Sequence, residues 1–316
     1  IPANVCYAAV YPIIYSGNKP VFIDINPKTG NMNFEDIIKK VSENTGCIIF
    51  PHMYGNPSPE IIKLKKYCNS KNILLIEDAA SAMGARICDQ LVGGFGDFSV
   101  FSTGHAKIID AGNGGIVISD NDLSFLKNMD SKLKRYDSKI QEKNDLFSLE
   151  YRKLRNLNDD YELKKFFSRD YKQNFLYRIN QATKFNIKMK VSKLPSILKE
   201  RADNYKLFSD FLEQNNYWET IKYSEFSTPW RFTILIKNPD HRRQLINYFL
   251  SKKLFISDWY PNIAKFFVEG KYPNADRMEK EVINFSLTLS KDEIRKICIE
   301  FNNFWRSICQ KNKLVL

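Results

Sequence analysis

The residue of this chain best suited to covalent chemistry is a single lysine in a glycine-bounded loop. Lys107 lies in the run 97–115, DFSVFSTGHAKIIDAGNGG. An apolar segment, 98–101, and a hydroxyl, Ser102, precede it, and a loop holding Gly112, Gly114 and Gly115 follows. Apolar and small neighbours strip water from an amine, which lowers its pKa and makes it a nucleophile and base near neutral pH. Most lysines in glycine-rich turns are ordinary surface residues, so Lys107 needs a second group to give it a chemical role.

Asp78 is that group. Residues 72–81 read NILLIEDAAS, a continuous apolar run that predicts a strand buried on both faces and ending in Glu77 and Asp78. In open parallel α/β sheets, ligands bind beyond the carboxyl ends of the strands. A carboxylate there and a desolvated lysine on a neighbouring strand end are the two fixed partners of pyridoxal phosphate. The lysine bonds to its aldehyde, and the acid keeps the pyridine nitrogen protonated so that the ring acts as an electron sink.

The elements that must position these groups follow from the pattern around them. Strands are predicted at 21–25, 47–53, 73–76, 98–102 and 116–119, with a turn at 27–33 and helices at 34–41 and 59–69. Such alternation with short connections predicts a doubly wound α/β fold, a mostly parallel central sheet with helices on both faces. Residues 127–143, 151–165 and 184–201 are charged and helix-compatible but lack a clean period. The last third predicts a smaller α/β unit, with strands at 231–236 and 254–257 and a helix at 240–250. A closing helix starts at the capping-box pair Ser290 and Glu293 and carries Ile294, Ile297, Phe301, Phe304, Trp305 and Ile308 on one face. Two domains are therefore expected, a large one over 1–200 and a small one over 201–316.

Composition narrows the function classes. With 316 residues, 43% of them hydrophobic, the chain can bury a substantial core. No apolar run approaches the roughly 18 residues that a spanning helix needs, and no basic-then-apolar leader is visible. The six cysteines are scattered without a CxxC pair, which argues for reduced thiols in a cytoplasmic protein and against a zinc site, and three histidines make a histidine-rich metal centre unexpected. The formal charge of +12 would suit a nucleic-acid binder. Residues 1–120, however, hold ten basic and eleven acidic side chains, so the excess sits in the later part of the chain. It reads there as a solvated surface, a polyanion-binding patch or an attraction for a phosphorylated sugar substrate. A dinucleotide site is disfavoured because no GxGxxG follows a strand, and a P-loop because no Lys-Ser/Thr follows the glycines at 112–115.

The ordered segments PHMYGN, EDAASAMGA, GDFSVFSTGHAK and GNGG, at 51–56, 77–85, 96–107 and 112–115, resemble the DegT/DnrJ/EryC1/StrS family, the fold-type I, pyridoxal-phosphate-dependent sugar aminotransferases. The likeness runs from residue 1 to about residue 310, dense to Gly115, thin over 121–190 and recognisable again from Arg201. It implies that Lys107 carries the cofactor covalently, that Asp78 pairs with its ring nitrogen and that Ser102, five residues before the lysine, donates to its phosphate. The family's ring-stacking aromatic falls on Cys6, four residues after Pro2, with Tyr7 adjacent. A residue reaching the phosphate across a dimer interface falls on Arg178 or Asn180, and the alignment does not choose between them. SDWYPNI, at 257–263, is similar to the family's substrate-facing segment, which makes Trp259 and Tyr260 candidates to stack on a sugar or nucleotide. His52, in PHMYG, falls beside the site.

The family's usual glutamine near the cofactor's phenolic oxygen is Ser81 here, a frequent histidine is Met83, and the glutamate of Gly-Glu-Gly-Gly is Asn113. His105, two residues before the lysine, either contacts cofactor or substrate or caps the turn. The resemblance implies an amino acid, usually glutamate, as donor, a nucleotide-linked keto-sugar as acceptor, a role in cell-surface polysaccharide synthesis, and a homodimer. In the family the proline at the start of this chain is preceded by a segment with a Gly-Thr pair that grips the cofactor phosphate. Its absence leads us to expect a fragment or truncated product, with a scaffold or regulatory subunit as the alternative to an active enzyme.

Overall fold

The computed structural model describes residues 1–157 and 159–313. A four-stranded sheet holds the first part of the chain together. Its strands are β1 (Cys47–Pro51), β2 (Leu74–Asp78), β5 (Phe98–Ser102) and β6 (Gly115–Ile118), in that spatial order. The first three run parallel and β6 antiparallel, so the sheet is mixed but mostly parallel. A two-residue pair, β3 (Arg86–Ile87) and β4 (Gln90–Leu91), forms a small hairpin between β2 and β5. Helices α1 (Tyr7–Tyr15) and α2 (Phe34–Ile38) precede β1, and α3 (Glu60–Lys71) connects β1 to β2. Helix α3 buries Ile61, Leu64 and Cys68, spaced three and four apart, and stops at Asn72, whose left-handed φ of 53° lets its N–H reach the carbonyl of Cys68.

Six helices fill the middle of the chain: α4 (Ser124–Lys132), α5 (Ser138–Leu157), α6 (Asp160–Phe167), α7 (Lys172–Phe175), α8 (Gln181–Ser192) and α9 (Leu194–Phe211). A second sheet, β7 (Trp218–Thr220), β8 (Phe232–Ile236) and β9 (Val282–Phe285), is antiparallel throughout. Helices α10 (Pro239–Ser251), α11 (Pro273–Glu281) and α12 (Lys291–Lys313) accompany it. Helix α12 starts as its capping box requires. The Ser290 hydroxyl accepts from the Glu293 N–H at 3.3 Å, and the Glu293 carboxylate accepts from the Ser290 N–H at 2.8 Å. The expected boundary near residue 200 falls inside α9. Its first half, Leu194 to Leu198, packs on the core of the large sheet, and Phe208 enters the core of the small one. A third core, rich in aromatic rings, joins α1 and α5–α7 to Tyr54, Trp230 and Tyr260. Among the described residues no helix is long and apolar enough to cross a membrane.

Three expected strands come out differently. Residues 21–25 are extended but make only one isolated parallel bridge, Ile23 with Pro2, and Val21 is 54% exposed. Three hydrogen bonds, Ile1 N to Val21 O, Ile23 N–H to Ile1 O and Ala3 N–H to Ile23 O, join the two segments and extend to no longer ladder. Residues 254–257 likewise make a single bridge, Ser257 with Asn284. There the Asn284 side-chain amide takes the carbonyls of Ser257 and Trp259, and no strand pairing continues. Strand β2 is not buried on both faces: Leu75 and Glu77 are buried, whereas the face of Leu74 and Ile76 borders an apolar cavity of about 910 Å³.

Candidate active site

The site forms where β2 and β5 end. Successive side chains of a strand point to opposite faces, so Glu77 and Asp78 part company at the end of β2. Glu77 turns inward and is fully buried. One of its carboxylate oxygens accepts from the Gly93 N–H at 2.7 Å and from His52 Nε2 at 3.0 Å. The other accepts from the N–H groups of Phe95 and Gly96 at 2.8 and 3.2 Å and from the Ser99 hydroxyl at 3.1 Å. Burial pushes the Glu77 pKa up, but the donors led by His52 outweigh it and hold the acid below its ordinary range. The Ser58 N–H donates to His52 Nδ1 at 3.2 Å, which leaves the proton on Nε2, facing Glu77. Gly96 is needed here, because a Cβ would meet the Glu77 nitrogen at 2.8 Å and the Phe98 carbonyl at 2.5 Å.

Asp78 turns the other way, into a cavity of about 380 Å³ that Cys6, His52, Ser81, Ser102, Lys107 and Tyr260 also line. That is the size range of a small-molecule or cofactor pocket. Register places the groups: Asp78 pairs with Val100 on β5, and Ser102 ends the same strand beside Gly115. One Asp78 oxygen accepts from the Ala80 N–H at 2.9 Å. Burial raises its pKa above the usual carboxylate value, partly offset by that bond and by the charge of Lys107. Lys107 Nζ donates to the Ser81 hydroxyl at 3.2 Å, and that hydroxyl lies 3.3 Å from the Tyr260 hydroxyl. Two hydroxyls thus connect the amine to the second part of the chain.

The expectation of a lowered lysine pKa is corrected here. Burial does lower it, but Tyr260, Cys6 and Asp78 face the amine and outweigh burial, so Lys107 sits above its ordinary value. Cys6 shifts upward, chiefly because burial disfavours the thiolate. The cavity therefore holds an ammonium beside an acid and a neutral thiol.

The loop that carries Lys107 is tied down on three sides. Thr103 N–H donates to Gly114 O at 3.1 Å, Ala111 N–H to Thr103 O at 2.8 Å, and the Thr103 hydroxyl to Asn113 O at 2.9 Å. Ala106 takes a left-handed φ of 60°, with its N–H on Asp110. From the segment just before β8, Trp230 Nε1 donates to the Ala106 carbonyl at 2.7 Å. The Trp230 ring stacks on Tyr260, centroids 5.3 Å apart, and Lys107 Nζ lies 5.6 Å from its centre. Sequence reasoning passed over Trp230 and gave Glu77 no role. The signal for Glu77 was its place one residue before the cavity acid, whereas nothing local marked Trp230.

Of the residues singled out from sequence, the structure brings Lys107, Asp78, Ser81, Ser102, Cys6, Tyr260 and His52 to one cavity and leaves others outside it. The His105 side chain is 90% exposed and pairs with Asp110 at 3.2 Å, as a cap of its turn. Arg178 pairs through Nε with Asp130 at 2.7 Å. Asn180 caps α8, its side chain accepting from the Thr183 N–H at 2.8 Å. Trp259 is half-buried behind the cavity, against Tyr7 and Tyr151, with Arg155 over its ring.

Comparison with known proteins agrees with this geometry. The DegT/DnrJ/EryC1/StrS aminotransferase family profile matches residues 1–301. The chain is 26% identical to the GDP-perosamine synthase of Escherichia coli O157:H7, over 96% of the chain and 78% of that protein. Among solved structures it is similar to Helicobacter pylori PseC, an aminotransferase involved in the biosynthesis of pseudoaminic acid, with a TM-score of 0.76 at 17% identity over 97% of this chain and 79% of that one. It is also similar to the E. coli GDP-4-keto-6-deoxy-D-mannose-3-dehydratase with bound hydrated PLP, with a TM-score of 0.72 at 20% identity over 95% and 78%. At these identities the structural likenesses establish the fold.

Proposed function

The chain belongs to the DegT/DnrJ/EryC1/StrS aminotransferase family, and from that premise we propose a pyridoxal-phosphate-dependent transfer of an amino group from an amino acid, glutamate, to a nucleotide-linked keto-sugar. The observation that carries this reading is the shared cavity of Lys107 and Asp78, two groups from separate elements. When bound, pyridoxal phosphate supplies an aldehyde for amine exchange and a ring that accepts the electron pair of the substrate α-carbon. Asp78 would hold the ring nitrogen, and the burial that raises its pKa would also keep water from competing for that contact. Ser102, at the end of β5, would donate to the phosphate, and Cys6, which lines the same cavity, would face the ring. Lys107 must lose a proton before it acts as a nucleophile. The Ser81 and Tyr260 hydroxyls accept hydrogen bonds around it, and once freed the amine moves a proton to and from the substrate α-carbon.

The same reading makes the protein a cytoplasmic homodimer in cell-surface polysaccharide synthesis, with domains over 1–200 and 201–316 and with Arg178 directed to the partner's cofactor phosphate. Exposed apolar side chains on α4 (Phe125, Met129) and α8 (Phe185, Met189) support a dimer, and six free thiols support a reducing compartment. The test is spectroscopic. Added pyridoxal phosphate should give a near-visible absorbance band that Lys107→Ala abolishes. A chain that gives no band, or a variant that keeps it, would overturn the proposal in favour of a scaffold or regulatory subunit.

A further inference from the structure

Helix α5 has two unlike faces. The inner one buries Ile140, Phe147 and Tyr151. The Tyr151 ring reaches the aromatic core and lies 5.2 Å from that of Tyr7, the neighbour of Cys6 in the cavity wall. At about 3.6 residues per turn, Leu146, Leu149 and Leu157 emerge on the opposite side, and they are 59%, 60% and 64% exposed. An outward face of a surface helix is ordinarily polar, so three leucines on a helix anchored from behind form an unpartnered apolar stripe.

The charges beside the stripe are sorted by sign. Between Glu142 and Leu157, the first half of this face carries Glu142 and Asp145 and the second half Arg152 and Lys153. All four are exposed. Glu150 and Arg155, on the flanks, pair with Arg169 and Asp258, and Lys143 turns aside to Gln173. Among the described residues the four on the face make no ion pair. Asp145 and Arg152 hydrogen-bond to neutral groups of their own helix, Gln141 and the Ser148 carbonyl. The helix dipole favours this order of charge in the first and last turns, and Asp145 and Arg152 lie beyond both.

We propose that this face pairs two copies of the chain, α5 against α5, antiparallel about a two-fold axis at Leu149. Asp145 and Lys153 each lie four residues from Leu149, so reversal about that point sets Asp145 of each copy beside Lys153 of the other. The same contact then occurs twice, as a closed two-fold interface requires. A parallel pairing sets acid against acid. A second copy is the occupant because the face is complementary to itself, apolar at the centre and opposite in charge at its two ends. The contact is separate from the apolar side chains of α4 and α8, and it stands whether or not the aminotransferase reading does.

One helix face makes a small interface, so the association is read by sedimentation equilibrium of the full chain at about 10–100 µM. Asp145→Lys alone, or Lys153→Asp alone, turns both cross-contacts into like charges and should weaken the pairing roughly tenfold or more. An equimolar mixture of the two variants places lysine against aspartate at both contacts and should restore it. A dimer formed through α4 and α8 persists in every variant, so what each single change removes is a doubling of mass. Leu149→Cys, oxidised with copper phenanthroline, should give a disulfide joining position 149 of two copies, which peptide mapping separates from bonds of the native cysteines. Single variants that assemble like the original chain, a mixture that fails to recover, or no crosslink at position 149 would overturn the inference. So would α5-dependent sedimentation with anionic vesicles in place of self-association, which would assign the stripe to a lipid surface.

Discussion

Replacing Glu77 with glutamine tests whether the inward carboxylate is what sets the cavity acid in place. The substitution keeps size and shape and changes one oxygen to an NH2 group. Each oxygen of Glu77 accepts from at least two donors, Gly93 and His52 on one side and Phe95, Gly96 and Ser99 on the other. Whichever way the amide is turned, an NH2 group faces two or three donors that no longer have an acceptor. His52 cannot compensate by moving its proton, because its Nδ1 already accepts from Ser58. Leaving a buried donor unsatisfied costs about 1–3 kcal/mol, and losing a buried charge adds to that, so Glu77→Gln should destabilise by about 3–5 kcal/mol. That is a large share of the roughly 5–15 kcal/mol of a whole domain.

Urea unfolding followed by circular dichroism measures the loss. The pH dependence gives a second readout. The folded-state pKa of Glu77 lies below its ordinary value of 4.5, so its contribution is present above that value and is lost as pH falls through the folded pKa. The variant should therefore show a shallower loss of stability on the acid side. A destabilisation under about 1 kcal/mol, with an unchanged acid slope, would refute the reasoning, since it would mean that the five donors do not depend on a charged acceptor.

Trp230→Phe keeps a ring beneath Lys107 but removes the donor to Ala106 O; it should cost about 1–2 kcal/mol and slow the appearance of the pyridoxal phosphate band in stopped-flow absorbance. Phe301→Ala, in the middle of α12 and fully buried against Phe285 and Trp218, should cost about 3–5 kcal/mol in the same unfolding assay while leaving the band in place.

Much of the site was legible because its parts lie at the ends of short, strongly patterned segments. The apolar run before Asp78 and the apolar run before Ser102 both formed strands, and adjacent parallel strands bring their carboxyl ends together whatever lies between them in sequence. The capping box of α12 is equally local and could be read from Ser290 and Glu293 alone. Segments 21–25 and 254–257 were misread because extended apolar residues become strands only when a neighbour supplies a ladder, and the neighbour's position is not a local property. His105 shows the same limit. Two residues from the lysine in the chain, it points to solvent because the left-handed turn at Ala106 separates their directions.

Residue order alone marked the candidate groups: one lysine after a strand, one acid at a strand end, a hydroxyl between them. Only the tertiary structure decided their electrostatic state. Apolar flanks foretell that Lys107 loses water, and that by itself lowers its pKa. The result has the opposite sign because Asp78, Cys6 and Tyr260 face it from three other parts of the chain, one of them about 150 residues away. Desolvation follows from near neighbours in sequence, whereas Coulomb interactions depend on distance in space, which the order of residues does not specify.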